Sequence, residues 1–297
     1  MTPDAPRRQL AIGYASVLAT VAIWAGFILI ARLGGKTALT GWDIVALRLG
    51  TAAVILLPFS LKLPAGTWRD PRLWTLAMVG GVLFLVLVYA GFKLAPAAHG
   101  GILLPGMQPF LVTALAWWML GARPSRQRLL ALLPIALGVA CVAWPVVTGQ
   151  HSGPSTLGGD ALLLGASIAW ATYSVLVKKW VYDPWLLTRF LALASTAVYM
   201  PFYLLLAPKG LDQVPTSMLV LQALYQGIGP TIVAMVLFLK AIAILGAERT
   251  GALVALVPVL AGLGAVPMLD EPLTPWLIAG LALVSTGAFL ASRPVRH

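Results

Sequence analysis

Acidic residues are scarce in this chain, with nine Asp and Glu against twenty Lys and Arg in 297 residues. None lies in the middle of an apolar run: Asp4, Asp43, Asp70, Asp160, Asp183, Asp212, Glu248, Asp270 and Glu271 fall at segment ends or in connections. Proton and sodium antiporters usually hold carboxylates at membrane depth. Were the chain to move a solute, the deficit would favour movement down that solute's own gradient, or a coupling too indirect to read. Cysteine is nearly missing as well. Cys141 stands alone, which excludes an internal disulfide and a thiolate metal cluster. Histidine occurs only at 99, 151 and 297. A membrane enzyme acting on lipid needs a nucleophile, a metal cluster or paired carboxylates at membrane depth. No such set assembles, so that reading is the alternative from a different class, and no cofactor or metal is expected.

Charge of either sign amounts to 10% of the chain, where a soluble domain carries roughly a quarter. Hydrophobic residues make up 60%, with a mean hydropathy of +0.92. Water does not solvate so apolar a surface, and the chain reads as an all-α integral membrane protein. Ten apolar segments approach the ~20 residues a bilayer-spanning helix needs. They lie at 10–31, 41–60, 72–94, 97–120, 126–147, 160–179, 185–207, 216–245, 248–269 and 274–292.

The net charge of +11 would suit a nucleic-acid partner, but its distribution speaks against one. With the N-terminus inside, Arg7, Arg8, Arg69, Arg72, Arg123, Arg126, Arg128, Lys178, Lys179 and Arg249 are among the cytoplasmic cations. The other side holds Arg32, Lys36, Lys93 and Lys209. This positive-inside bias places both termini in the cytoplasm, with Arg32 and Lys36 running mildly against it. Arg7-Arg8 before an apolar run resembles a signal peptide. Ala31-Arg32-Leu33-Gly34-Gly35 offers no clear small-x-small cleavage site, however, so the segment is expected to stay as the first helix.

The chain also repeats itself. Residues 98–145 overlay residues 247–294 without a gap at a constant shift of 149, pairing Ala98 with Ala247, Pro109 with Pro258 and Gly138 with Gly287. Upstream, Ile23-Trp24-Ala25 resembles Ala169-Trp170-Ala171, and Gly80-Gly81 aligns with Gly229-Pro230. Five helices per half is an odd number, so the second half enters the membrane from the opposite face. Equivalent loops carry opposite charge as that requires: Gly121-Ala122-Arg123-Pro124-Ser125-Arg126 against Asp270-Glu271-Pro272-Leu273-Thr274-Pro275. The expected architecture is ten transmembrane helices as two inverted five-helix repeats, 1–147 and 148–297, with N- and C-termini inside. Two related halves around a shared site are the signature of a transporter.

Ile23-Trp24-Ala25-Gly26-Phe27 and Tyr89-Ala90-Gly91-Phe92-Lys93, with the proline-bearing fourth and ninth segments, resemble the EamA-type branch of the drug/metabolite transporter superfamily. Leu269-Asp270-Glu271-Pro272-Leu273-Thr274 is similar to that family's Gly-Glu-x-Leu-Thr turn, with Asp270 in the glycine position. The first repeat departs further, carrying Ala122 where the turn's acid stands. The resemblance covers nearly the whole chain and looks most like the bacterial aromatic and broad-range amino-acid exporters. It implies a multi-pass protein of the bacterial inner membrane that exports amino acids by alternating access. Another small metabolite or a drug is the alternative cargo.

In such proteins the site lies near mid-membrane, at Gly/Pro-interrupted helices in equivalent positions. Pro109 and Pro258 mark them here, unless they serve packing alone. Trp24 and Trp170 lie inside their segments and suit a cavity for an apolar side chain; ordinary packing is the competing reading. Gln108 and Tyr89 can pair with a zwitterion without the cost of a buried charge, and Tyr173, Tyr225 and Gln226 join them as substrate-binding candidates. Tyr225 and Gln226 read equally as interfacial anchors. His99 and Glu248 are candidates for gating or coupling, against a structural histidine and a favourable helix N-terminus. Arg48 and Arg189 could bind a carboxylate, but each follows an aspartate within snorkelling reach of the interface and reads rather as a tie between helix ends. The expected partners are an amino acid and the lipid bilayer, and a monomer is compatible with the duplication.

Overall fold

The computed structural model describes residues 4–61, 63–147 and 154–291, and among them it holds helices and turns without a strand. In lipid each backbone N–H and C=O must be satisfied within the protein, and apolar helices achieve this segment by segment. In chain order they are α1 (Asp4–Gly35), α2 (Gly41–Ser60), α3 (Pro71–Leu94), α4 (Ala97–Leu120) and α5 (Arg126–Val147). There follow α6 (Pro154–Trp180), α7 (Pro184–Leu205), α8 (Thr216–Leu245), α9 (Arg249–Leu269) and α10 (Pro275–Ala291). Eight are long and apolar enough to cross a membrane. Helices α5 and α10 contribute shorter apolar stretches among the described residues, Arg128–Val142 and Pro275–Leu290. Helices α1 and α6 start earlier than the apolar runs at 10–31 and 160–179, because polar residues extend their ends beyond the hydrophobic stretch.

Local sequence sets the ends. Asp70 and Asp183 cap α3 and α7 through side-chain bonds to the Arg72 and Leu186 amides, and each precedes a proline at the first helical position. Helix α2 opens on a capping box in which Thr40 and Asp43 satisfy each other's amides. Helices α4 and α9 both stop at a left-handed residue, Gly121 with φ +67° and Asp270 with φ +53°. A glycine takes that conformation without strain, which explains why the turn motif prefers one where Asp270 stands.

Four helices lose their regular ladder midway. Wide π turns interrupt α3 at Ala77–Leu83, α4 at Ile102–Gly106 and α8 at Gly229–Val233. Helix α9 breaks between Val254 and Val257. Proline explains two of these, since Pro105 and Pro230 lack an amide donor.

Neighbouring helices pair as α1–α8 and α3–α6, α1–α9 and α4–α6, α2–α8 and α3–α7, with α2–α7, α4–α9 and α5–α10 packed on each other. The α5–α10 pair meets backbone to backbone. A Cβ on Gly138 would lie 2.8 Å from the Gly280 carbonyl oxygen, and one on Gly287 2.9 Å from that of Ala131. Small residues let two helices approach this closely in lipid. Gly138→Val should destabilise the protein by roughly 1–3 kcal/mol through overpacking. Gly66→Ala, with nothing within 4 Å of the new carbon, should not. Thermal unfolding in detergent compares the two, and equal midpoints would contradict the packing described.

Candidate functional site

The interrupted stretches surround a cavity of about 370 Å³, within the roughly 300–1,000 Å³ usual for small-molecule sites. Its wall includes Leu104, Pro105 and Gln108 from α4, Pro230 from α8, and Val254 and Val257 from either side of the α9 break. Two aromatic pairs line it, each joining a residue from the first half of the chain to one from the second. Trp24 packs on Phe238 with ring centroids 5.1 Å apart, and Trp170 packs on Phe84 at 4.8 Å. The aromatic equivalence seen between Ile23-Trp24-Ala25 and Ala169-Trp170-Ala171 thus becomes two facing walls.

Polar groups on this wall are few. Gln108 donates through Nε2 to the Ser167 hydroxyl at 2.9 Å and carbonyl at 3.1 Å, and its buried Oε1 has no partner among the described residues. Ser174 adds a hydroxyl that bonds back to the Trp170 carbonyl. The strongest group is Arg48, read from sequence, with Asp43 nearby, as a structural tie between helix ends. The structure corrects that reading. Asp43 is fully buried and occupied: its oxygens accept from the Thr40 amide and hydroxyl, both at 2.8 Å, from Gly210 N at 2.9 Å and from Tyr203 OH at 2.7 Å. Arg48 turns to the cavity instead. Its guanidinium donates to Tyr89 OH at 3.1 Å and lies 5.1 Å from the Phe27 ring centre. Arg189 does tie helix ends, donating to the Phe59 carbonyl of α2 at 2.7 Å.

Of the residues singled out from sequence, Trp24, Gln108 and Trp170 line the cavity, and Tyr89 reaches it through Arg48. The others do not form its wall. Tyr173 is buried against Trp170 and Gly80. Tyr225 and Gln226 donate to the Ile23 and Phe27 carbonyls, at 3.2 and 3.3 Å, and so fasten α8 to α1 as Gln222 does through Ile30. Pro109 lies between the wall residues Gln108 and Val112 without lining the cavity itself, its carbonyl taken by Thr113, while Pro258 packs against Gly101 where α4 and α9 cross. Sequence reasoning passed over Phe238, Pro230 and Ser174; the proline in an apolar segment was the available signal.

One turn beyond the lining residue Ile28, charged side chains tie the helix ends together, and we refer to this cluster as the seal. Arg32 near the end of α1 donates to Glu271 at 3.0 Å and to the Phe92 and Lys93 carbonyls at 2.8 and 3.2 Å. The second Glu271 oxygen accepts the Ala97 amide at 2.8 Å, so one carboxylate holds the end of α1 and the start of α4. Lys36 caps the Leu269 carbonyl of α9, and Lys93 donates to the Thr37 carbonyl at 2.8 Å. This accounts for Arg32 and Lys36, the two cations that ran against the charge bias. His99 Nδ1 meets the Asp160 carboxylate at 3.0 Å on the same face, joining α4 to α6. The side chain of Glu248 lies outside the described residues, as does the segment around His151. From the seal, the wall descends along α4 from Leu104 to Val112 and along α6 from Trp170 to Ser174. There, helices α7 and α8 leave a smaller groove between them of about 160 Å³, which shares Met235 with the cavity.

Breaking the ion pair strands Arg32 in a partly buried site, which destabilises the sealed form. In a Cys141→Ser background, a cysteine at Ser174 should react slowly with an impermeant thiol reagent applied at the Glu271 face. Glu271→Gln should raise that rate several-fold. An unchanged rate would show that this carboxylate does not hold the seal.

Comparison with known proteins bears on what such a cavity serves. The model of the EamA-like transporter family matches residues 11–144 and again residues 157–293. The uncharacterized transporter YetK of Bacillus subtilis is 25% identical over 253 residues, covering 82% of this chain and 76% of its own length. YwfM from the same organism, also an uncharacterized transporter, is 25% identical, with 83% and 81% covered. A protein crystal structure shares the fold with a TM-score of 0.62 at 21% identity, spanning 97% of this chain and 98% of its own. With the same family model matching both stretches around an apolar cavity, the chain belongs to the EamA-like transporter family and is a multi-pass membrane protein for a small substrate.

Proposed function

We propose that this chain exports neutral and aromatic amino acids across the bacterial inner membrane by alternating access. On this reading residues 1–147 and 148–297 are inverted repeats, with both termini cytoplasmic and the Arg32–Glu271 face outside. The cavity then faces the cytoplasm, where it loads, and release needs the outer seal to part. The observation that carries the reading is the wall itself: two tryptophan–phenylalanine pairs for an apolar side chain, with Gln108 and Arg48 for a small polar head. Helix pairings support the inversion, because exchanging each helix for its counterpart five places on maps α1–α8 onto α6–α3 and α1–α9 onto α6–α4. No Asp or Glu lines the cavity among the described residues, which favours efflux down a concentration gradient.

A second reading, export of a lipophilic drug or other metabolite, draws on the groove between α7 and α8, which gives an apolar cargo a sideways approach to the cavity region.

Proteoliposomes holding the purified chain should release preloaded radiolabelled phenylalanine or leucine faster than empty vesicles, with little change when a pH gradient is imposed. Trp24→Ala and Gln108→Ala should each slow that release. Loss of an aromatic contact at about 1–1.5 kcal/mol amounts to roughly tenfold for Trp24. Equal release with and without the protein across neutral and aromatic amino acids would reject this substrate class.

A further inference from the structure

Arg48 is a permanent cation without a counter-ion among the described residues, on the wall of a cavity that is otherwise almost wholly apolar. Among the described residues it enters no ion pair, and its one hydrogen bond goes to a neutral phenol, Tyr89 OH. The nearby acid on its own helix is unavailable, since Asp43 is saturated by four donors. A guanidinium at membrane depth is costly until an anion meets it. Its planar fork offers two parallel N–H donors to a carboxylate. Phe27 supports the cation from one side at 5.1 Å, and Tyr89 fixes one end of the fork at 3.1 Å, which leaves the remaining donors for a ligand.

We propose that Arg48, held by Tyr89 and Phe27, is the carboxylate anchor of this cavity, so that an apolar monocarboxylate is its obligatory substrate class. No acid on the described wall awaits an ammonium group. The 2-amino group is therefore dispensable, and a 2-hydroxy acid or an N-acyl amino acid with the same side chain binds as well as the amino acid. This deepens the export reading, resting on the same cavity, but narrows what the cavity reads to the acid group and the apolar body.

The test is equilibrium binding to the purified full chain in detergent, using radiolabelled phenyllactate displaced by phenylalanine, N-acetylphenylalanine, phenyllactate and phenethylamine. The three carboxylates should compete within a few-fold of one another, and the amine at least tenfold more weakly. Arg48→Gln should lower phenyllactate affinity tenfold or more. Tyr89→Phe, which keeps the ring and removes only the hydroxyl, should lower it several-fold. Amine binding equal to the acids overturns the anchor, and so does undiminished affinity in a folded Arg48→Gln variant. Should phenyllactate bind through Arg48 while phenylalanine neither binds nor crosses, the amino-acid reading falls and the anchor stands. Phenylalanine efflux undiminished in Arg48→Gln overturns the anchor and leaves the amino-acid reading in place, and absence of binding by all three acids overturns both.

Discussion

A helix in lipid can open its backbone ladder only where other protein or a water-filled space covers the freed groups. That constraint organises this molecule. The π turns in α3, α4 and α8 and the break in α9 all lie at the depth of the cavity, and Pro105, Pro230, Val254 and Val257 bring three of these irregular stretches directly to its wall. Wide turns of this kind often mark functional sites because they re-aim side chains out of the helical repeat. Here they make room at the centre of a bundle whose other helices, α5 and α10 above all, are packed without such gaps.

The two ends of that space differ in chemistry. At one, charged side chains grip helix-end carbonyls and amides: Arg32 on Phe92, Glu271 on Ala97, Lys36 on Leu269. Such contacts are directional and are lost together when the helices separate, which suits a gate with two discrete states. Toward the other end the wall is apolar. The α1–α3 and α2–α3 contacts have no comparable counterpart in α6–α8 and α7–α8 among the described residues. The groove between α7 and α8 lies where that counterpart would be. On the proposed alternating-access reading, exchange of these contacts between the halves would let the cavity change sides.

Much of the fold was legible because lipid imposes long apolar runs with unmistakable lengths. The caps at Asp70, Asp183 and Thr40 were written in the sequence as Asp-Pro and Thr-x-x-Asp but went unread, since the bounds came from the apolar runs alone. The facing tryptophans were legible too, since an aromatic inside a span stands apart from the interfacial belt. What the sequence hid were partnerships. Tyr225 and Gln226 looked like ligand groups because they are polar and intramembrane, yet they satisfy α1 carbonyls. Arg48 looked like a tie between helix ends, with an aspartate close by in sequence. The unread fact was that Asp43 already accepts from Tyr203 and Gly210, residues far along the chain, which frees Arg48 for the cavity. Arg32 and Lys36, anomalous as loop charges, made sense only once Glu271 and Leu269 came beside them.

The claim that the cavity alternates between faces is tested most directly by paired spin-label distances in proteoliposomes. One pair, at Ala38 and Leu273, reports across the sealed face, and the other, at Arg123 and Ala243, reports across the opposite face; all four positions are exposed. The account predicts reciprocal changes on adding substrate, with a longer Ala38–Leu273 distance gaining population as the Arg123–Ala243 distance shortens. Two distances that lengthen together, or that both stay fixed while substrate crosses, would contradict it.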